Sequence, residues 1–398
     1  MNQELIRIVD NIARDKNIDR ESIFSDLEGA MISAAKKHFG ESELEIVVRI
    51  DRKNGEITAF KGTEQIDIRQ LGRIPAQTAK QVMIQKLKAD ERSSVFTEFV
   101  ARKGEIINGV VVRYEGGTLI ISLNNRVEAF MPKTEQISGE SHHPGERIRS
   151  MILDVRDASN QIRIVLTRTH PDFIRKLFEI EVPEVAENII EIKALSREAG
   201  YRTKLAVISN DDKVDAVGAC VGVRGSRIKN IVDELGGEKI DIVRWSDSSQ
   251  VLITNALMPA KVSELALCFE IGRATVVVDE DQLSLAIGKH GQNVRLAARL
   301  TGWDIDILTP DEYNAGVERL SNTVKGVEGA DDTTLDKLIA LGVITVLDLE
   351  EVGSEPLVNE LGFSSELATR IVAAAIEEAK RLMNEPKKTH AQNILHKE

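Results

Sequence analysis

Two stretches of the chain repeat one another in register. Cys220-Val-Gly-Val-Arg-Gly-Ser-Arg-Ile-Lys-Asn-Ile is matched by Ala286-Ile-Gly-Lys-His-Gly-Gln-Asn-Val-Arg-Leu-Ala, with Gly222 and Gly288 set 66 residues apart. In both copies an apolar residue follows the last turn glycine by 3, 6 and 7 positions (Ile228, Ile231 and Val232; Val294, Ala297 and Ala298) and a glycine follows it by 11 (Gly236 and Gly302). Each copy closes on Ile-Asp-Ile, Ile240–Ile242 and Ile305–Ile307. A single Gly-x-x-Gly arises readily by accident. Two in register, each leading into a 3.6-period apolar pattern and then a strand, predict one helix–turn–helix–strand unit built twice.

The turn predicts a ligand. Glycine at both ends permits positive φ and removes the Cβ atoms that would hold a sugar-phosphate chain away. The unsatisfied N–H groups and dipole at the start of the next helix favour an anion. The inner residues, Val223 and Arg224 in one copy and Lys289 and His290 in the other, are expected to point outward, with Arg227, Lys229, Asn293 and Arg295 on the helices that follow. This is the layout of a KH module, whose Gly-x-x-Gly loop clamps about four nucleotides by their backbone while the bases lie on an apolar groove. The single-stranded RNA site is therefore expected to comprise Gly222, Gly225, Gly288 and Gly291 with those eight neighbours.

At 398 residues the chain exceeds one hydrophobic core, and several domains are expected. Residues 2–17 and 21–39 read as amphipathic helices. A strand over 44–50, an Asn54-Gly55 two-residue turn, a partner strand over 56–60 and a helix over 75–103 complete an N-terminal α+β domain. Five short β-rich runs follow, 105–114, 118–123, 127–131, 147–155 and 161–167, with turns at Gly116-Gly117 and Asn124-Asn125. They predict a five-stranded OB-type barrel. Tyr114 and Phe130 are its candidate base-stacking side chains and read equally well as core; His142 and His143 lie in the loop before Pro144.

The net charge of −12 seems to argue against a polyanionic ligand, yet residues 311–398 hold 9 basic and 17 acidic side chains, two thirds of that excess. Exposed charges are screened beyond about 8–10 Å, so a near-neutral middle can still present a basic face. Aromatic residues are only 4%, which shifts binding from stacking toward backbone contacts. Cys220 and Cys268 form no Cys-x-x-Cys and are expected as buried thiols, with neither metal nor cofactor. No apolar run approaches membrane-spanning length, and a cytoplasmic monomer is expected.

Three further stretches carry a resemblance: Gln77-Thr-Ala-Lys-Gln-Val-Met-Ile-Gln-Lys86, Phe178-Glu-Ile-Glu-Val-Pro-Glu184, and Val217-Gly-Ala-Cys-Val-Gly-Val-Arg-Gly225 with Glu234-Leu-Gly-Gly-Glu-Lys-Ile-Asp-Ile242. Over residues 1 to about 310 the chain resembles the NusA family of bacterial transcription factors. The resemblance implies an N-terminal domain that docks on RNA polymerase near the RNA exit channel, a barrel of the ribosomal-protein S-one type and two tandem KH modules of the second topological class. It also implies modulation of pausing, termination and antitermination. Ala199 stands where the family usually has proline, implying a looser turn; beside it Arg202 and Lys204 are candidate phosphate contacts or, alternatively, exposed strand residues.

The division expected is 1–103 for the N-terminal domain, 104–170 for the barrel, 171–250 and 251–312 for the two KH modules, 313–325 for a linker, 326–383 for a helical unit and 384–398 for a disordered tail. In the helical unit Leu338–Val343 and Glu360–Phe363 look like the turns of one helix-hairpin-helix, similar to the acidic repeats of some family members. Its acidity favours a protein partner, such as another elongation factor, over DNA. Two rival functions remain. An exoribonuclease would need a catalytic core, and no phosphate-loop, His-Glu-x-x-His or dense carboxylate cluster is present; Asp279-Glu280-Asp281 reads as a turn, and no enzyme is expected. A ribosome-associated or RNA-decay protein would use the same clamp, and only the N-terminal domain separates it from a transcription factor.

Overall fold

A computed structural model describes residues 6–7, 9–10, 13–14, 19–39, 46–62, 64–66, 85, 88–89, 91–158 and 161–384. The expected helix over 2–17, the start of the helix over 75–103, most of the stretch 77–86 and the tail beyond Asn384 therefore fall largely or wholly outside the described residues. The chain divides into two units: residues 1–136 with 142–168, and residues 137–141 with 169–398.

In the first unit the helix Arg20–Phe39 lies on an antiparallel sheet ordered Ile46–Ile50, Ile57–Lys61, Glu64–Ile66. Ile46, Val48 and Ile50 alternate inward, as period-two patterning requires, and meet Phe24, Leu27, Ala35 and Ala59. The turn differs from expectation. Asp51 N donates to Glu56 O, and the Asp51 carboxylate accepts from Lys53 N and Asn54 N, so four residues, 52–55, make the loop. An Asp at the strand end offered the backbone acceptors that a two-residue turn would not use.

Five strands, Ile106–Glu115, Thr118–Leu123, Val127–Met131, Arg147–Ala158 and Gln161–Thr167, close a barrel in which the third pairs in parallel with the fifth. Gly116 and Gly117, with φ of 54° and 84°, supply the tight hairpin. Leu119, Ile121, Leu123, Met131, Ile152, Ile164 and Leu166 fill the interior, each worth about 1.5–3 kcal/mol when fully buried. Residues 91–101 are helical, and Phe99 from that helix joins this core.

The second unit begins with two copies of one topology. The first has the helix Pro171–Glu181, a short helix Pro183–Ala186, strands Ile190–Glu198 and Arg202–Ser209, helices Ala216–Val221 and Ser226–Glu234, and strand Lys239–Arg244. The second has helix Ser249–Leu257, strands Glu264–Cys268 and Arg273–Val277, helices Glu280–Ile287 and Gln292–Thr301, and strand Asp304–Leu308. In each sheet the middle strand pairs antiparallel with the first and parallel with the last.

The packing is serial. Strand register puts Ala194, Ala206 and Val243 on the outer face of the first sheet, and they share a core with Leu252, Ile253, Ala256, Ala297 and Leu300 of the second copy. The outer face of the second sheet is covered in turn by the C-terminal helices: Cys268 joins Leu320, Val324, Leu338, Val346, Leu349 and Ile371. On that face Arg273 meets Asp348 at 2.9 Å and Glu351 at 2.7 Å.

The expected linker 313–325 is instead the helix Pro310–Lys325, whose Leu320 and Val324 are buried. Thr309 caps it, Pro310 occupies its first turn and Glu312 completes a capping box, a helix-start signature that outweighs the acidic composition. Helices Asp332–Ala340, Val346–Val352, Ser354–Asn359 and Ser365–Asn384 complete the C-terminal part. Among the described residues no helix is long and apolar enough to cross a membrane.

Candidate nucleic-acid interface

Both turns adopt one conformation. Gly222 and Gly288 sit at φ 75°, ψ 174° and φ 73°, ψ 172°, a region open essentially to glycine alone. Gly225 and Gly291 are left-handed, at φ 75° and 71°. Arg224 and His290 are left-handed too, at φ 54° and 52°, a feature that sequence reasoning reserved for the glycines. Each turn closes on itself, Gly225 N to Gly222 O and Gly291 N to Gly288 O at 3.1 Å. The N-cap residue of the helix that follows is glycine in both copies, Gly225 and Gly291, so no capping side chain occupies the first N–H groups of either helix.

The residue five places after the first glycine holds the turn together. A Cβ on Gly222 would stand 2.8 Å from Arg227 Cγ, and one on Gly288 would stand 2.8 Å from Asn293 Cβ. From that position Arg227 donates to Ala219 O at 2.8 Å and to Glu184 at 2.8 Å. Asn293, fully buried, donates to Leu285 O, Ala286 O and Leu257 O at 3.1–3.2 Å. Ala219 and Leu285 are equivalent in the repeat, so both side chains satisfy carbonyls at the end of the preceding helix. Asn293 was expected to touch RNA; its burial excludes that. Arg227 is half-buried and committed to the fold in the same way.

Among the described residues Arg224, Lys229, Lys289 and His290 are exposed and enter no ion pair, and Val223 is 82% exposed. Those positions face solvent as expected. Arg295 is exposed but engaged: its Nε lies 2.6 Å from Glu198 Oε1, and its Nη1 donates to His290 O at 3.3 Å.

The expectation for Arg202 and Lys204 is corrected. Register places both on the outer face of the first sheet beside Asp241. Arg202 grips Asp241 with two hydrogen bonds of 2.7 and 3.1 Å, and Lys204, fully buried, reaches the same carboxylate at 3.0 Å. Covered by the second copy, Lys204 has no path to a phosphate; burial pulls its ammonium below the ordinary lysine range despite Asp241. The neighbouring turn is fixed although Ala199 replaces proline: Tyr201 N donates to Glu198 O at 2.9 Å, and Gly200 N to Glu238 at 2.8 Å.

In the barrel Tyr114 is 45% exposed, its hydroxyl accepting from His142 N at 3.3 Å. Phe130 is half-buried, with the Arg163 guanidinium 5.2 Å from its ring centroid. Phe130 lines a cleft of about 420 Å³ with Lys88, Arg92, Arg126, Glu128 and Ile162. Arg163 was missed in sequence reasoning, although its place in the alternating Ile162-Arg163-Ile164 already pointed it outward.

The chain is similar to known proteins along most of its length. Family models match residues 4–67 (NusA N-terminal domain), 168–245 (NusA-like first KH domain) and 249–315 (NusA-like second KH domain). A curated relative from Rickettsia conorii, a transcription termination/antitermination protein NusA, is 36% identical over 414 aligned residues, covering 94% of this chain and 82% of that protein. Relatives of the same description from Bacillus subtilis and Halalkalibacterium halodurans are 39% and 38% identical, covering 77% and 78% of this chain and 91% and 90% of theirs.

Proposed function

Because the chain belongs to the NusA family, we propose that it is an RNA-binding transcription elongation factor that docks on RNA polymerase through residues 1–103 and grips the emerging transcript with its two Gly-x-x-Gly turns. Binding of this kind modulates pausing, termination and antitermination. The observation that carries the reading is the pair of turns, each opening on a glycine-only conformation, with a glycine N-cap on the next helix and exposed basic side chains that enter no ion pair among the described residues: Arg224 and Lys229 in the first, Lys289 and His290 in the second. Such a turn recognises the backbone and not base identity, which suits a factor that meets many transcripts. The barrel adds Tyr114 and Phe130 as candidate stacking surfaces along the same strand of RNA.

Two full-length variants test the clamps, Val223→Asp with Arg224→Asp and Lys289→Asp with His290→Asp. Each places negative charge where phosphate should lie. Titration of labelled single-stranded RNA is expected to show a large loss of affinity with folding intact, and a log–log salt slope shallower by roughly 0.7 for each phosphate no longer neutralised. Unchanged binding in both variants would make the turns structural. Affinity capture with the full chain is expected to retrieve RNA polymerase crosslinked within residues 1–103. Retrieval of ribosomal subunits without polymerase would favour the ribosome-associated alternative and leave the RNA clamp standing.

A further inference from the structure

The two clamps are equal in backbone and unequal in surroundings. Lys229 and Arg295 occupy the same position in the repeat, seven residues after Gly222 and Gly288. Lys229 is exposed with no ion pair among the described residues, whereas Arg295 is met by an acid from the other copy. That acid, Glu198, is the last residue of strand Ile190–Glu198 and pairs in register with Arg202, on the sheet face that packs against the helix Gln292–Thr301. Both of its oxygens are used: Oε1 accepts from Arg295 Nε at 2.6 Å, and Oε2 accepts from Gln292 Nε2 at 2.8 Å. Arg299 lies one turn further along, 4.0 Å away. Gln292, Arg295 and Arg299 share one helix face by their three- and four-residue spacing, and that face turns toward Glu198.

We propose that Glu198 stands in for a phosphate at the second clamp, holding Arg295 in the absence of RNA and competing with the RNA backbone for it. A carboxylate with two acceptor oxygens, at the N-terminal end of a helix and against a guanidinium, reproduces the charge and the hydrogen-bonding pattern of a phosphodiester. Arg295 remains 44% exposed and Glu198 20%, so the guanidinium is within reach of a ligand while the acid is anchored. The Arg295 guanidinium holds the Glu198 carboxyl below its usual range, so it stays charged at neutral pH. Among the described residues the first clamp carries no such competitor beside Lys229. The second clamp is therefore the weaker of the two, and Glu198 is a positioning residue that sets how much weaker. This inference rests on reading the second turn as a phosphate clamp.

The test uses the full chain and a labelled mixed-sequence single-stranded RNA, titrated over a range of salt concentrations. Glu198→Gln keeps the shape and a hydrogen-bonding partner for Gln292 and removes the charge. It is expected to raise affinity several-fold and to steepen the salt slope by roughly 0.7, the increment of one neutralised phosphate. Arg295→Ala alone is expected to weaken RNA binding, because it leaves the Glu198 charge uncompensated beside the strand, and in the Glu198→Gln background to abolish the gain. A purely structural ion pair would lower thermal stability in Glu198→Gln and leave affinity and slope where they were, or reduce them; that result overturns the inference. The variant Lys289→Asp with His290→Asp, run in parallel, separates the two levels. If it binds RNA as well as the parent chain, the clamp reading and this inference fall together; if it loses binding while Glu198→Gln gains nothing, only this inference falls.

Discussion

A Cβ built on Gly342 would lie 2.1 Å from the carbonyl oxygen of Leu267. The turn after helix Asp332–Ala340 thus meets the edge strand Glu264–Cys268 backbone to backbone, and φ of 91° at Gly342 makes glycine necessary there twice over. A helix-hairpin-helix offers nucleic acid the amides of such a turn. In this protein the turn is buried against the second KH module, so the partner of that face of the acidic C-terminal helices is the chain itself.

Gly342→Ala is therefore expected to loosen the C-terminal helices from the second module, at a cost of about 2 kcal/mol or more from left-handed strain and the clash with Leu267. Hydrogen exchange should show faster amides in Glu264–Cys268 and in the C-terminal helices, with the two Gly-x-x-Gly turns unaffected. Unchanged protection would mean that this close approach carries no stability.

Lys204 and Lys229 should separate fold from binding. Lys204→Ala removes a buried ammonium and its stem from beside Asp241, for an expected loss of about 2–4 kcal/mol in urea unfolding, moderated because Arg202 still pairs with that carboxylate. Lys229→Ala is expected to leave stability within about 0.5 kcal/mol and to weaken RNA binding with a shallower salt slope. The reverse pattern would contradict the assignment of both residues.

Asn293→Ala leaves the carbonyls of Leu257, Leu285 and Ala286 without their shared donor, an expected cost of about 1–3 kcal/mol. Gly288→Ala strains the same spot from the other side, through both its φ and its approach to Asn293. Both variants should unfold at lower urea than the parent, and a Gly225→Ala variant, whose Cβ would meet only Ile228 Cγ2 at an ordinary 3.9 Å, should lose less.

Burial pushes the Cys220 thiol up to about 12 and the Cys268 thiol upward as well. At pH 8 neither supplies appreciable thiolate. A thiol-reactive disulfide reagent is expected to find no rapidly reacting cysteine in the native chain and both after denaturation; fast native labelling of either would show that its surroundings open readily.

Asp331 caps helix Asp332–Ala340 by accepting from Thr334 N at 2.9 Å, and its bonds to Thr333 and Thr334 hold its carboxyl at about 2, against 3.8 when unperturbed. A depressed folded value means that the stabilisation is present above 3.8 and is lost as pH falls toward 2. Comparison with Asp331→Asn, which keeps a capping side chain but cannot titrate, isolates it. The parent chain should lose stability relative to the variant between those two pH values, and parallel pH curves would rule the linkage out.

What could be read from residue order was local. The glycine turns and the barrel strands Thr118–Leu123, Val127–Met131 and Gln161–Thr167 follow from φ preferences and short-period apolar patterning and stand at the expected residues, and the closing Ile240–Ile242 lies within the strand Lys239–Arg244. The capping signature at Thr309-Pro310 is equally local, and it decides the structure there where acidic composition alone suggests a linker. Which cations are free was a different kind of question. Lys204 meets Asp241 across 37 positions, when two strands of one sheet pair, and Arg295 meets Glu198 across 97, when that sheet's outer face packs on a helix of the second copy. A cation's spacing from a glycine says which way it leaves its own helix or strand; whether a carboxylate is waiting there depends on segments brought close by packing, and only the tertiary structure decides that.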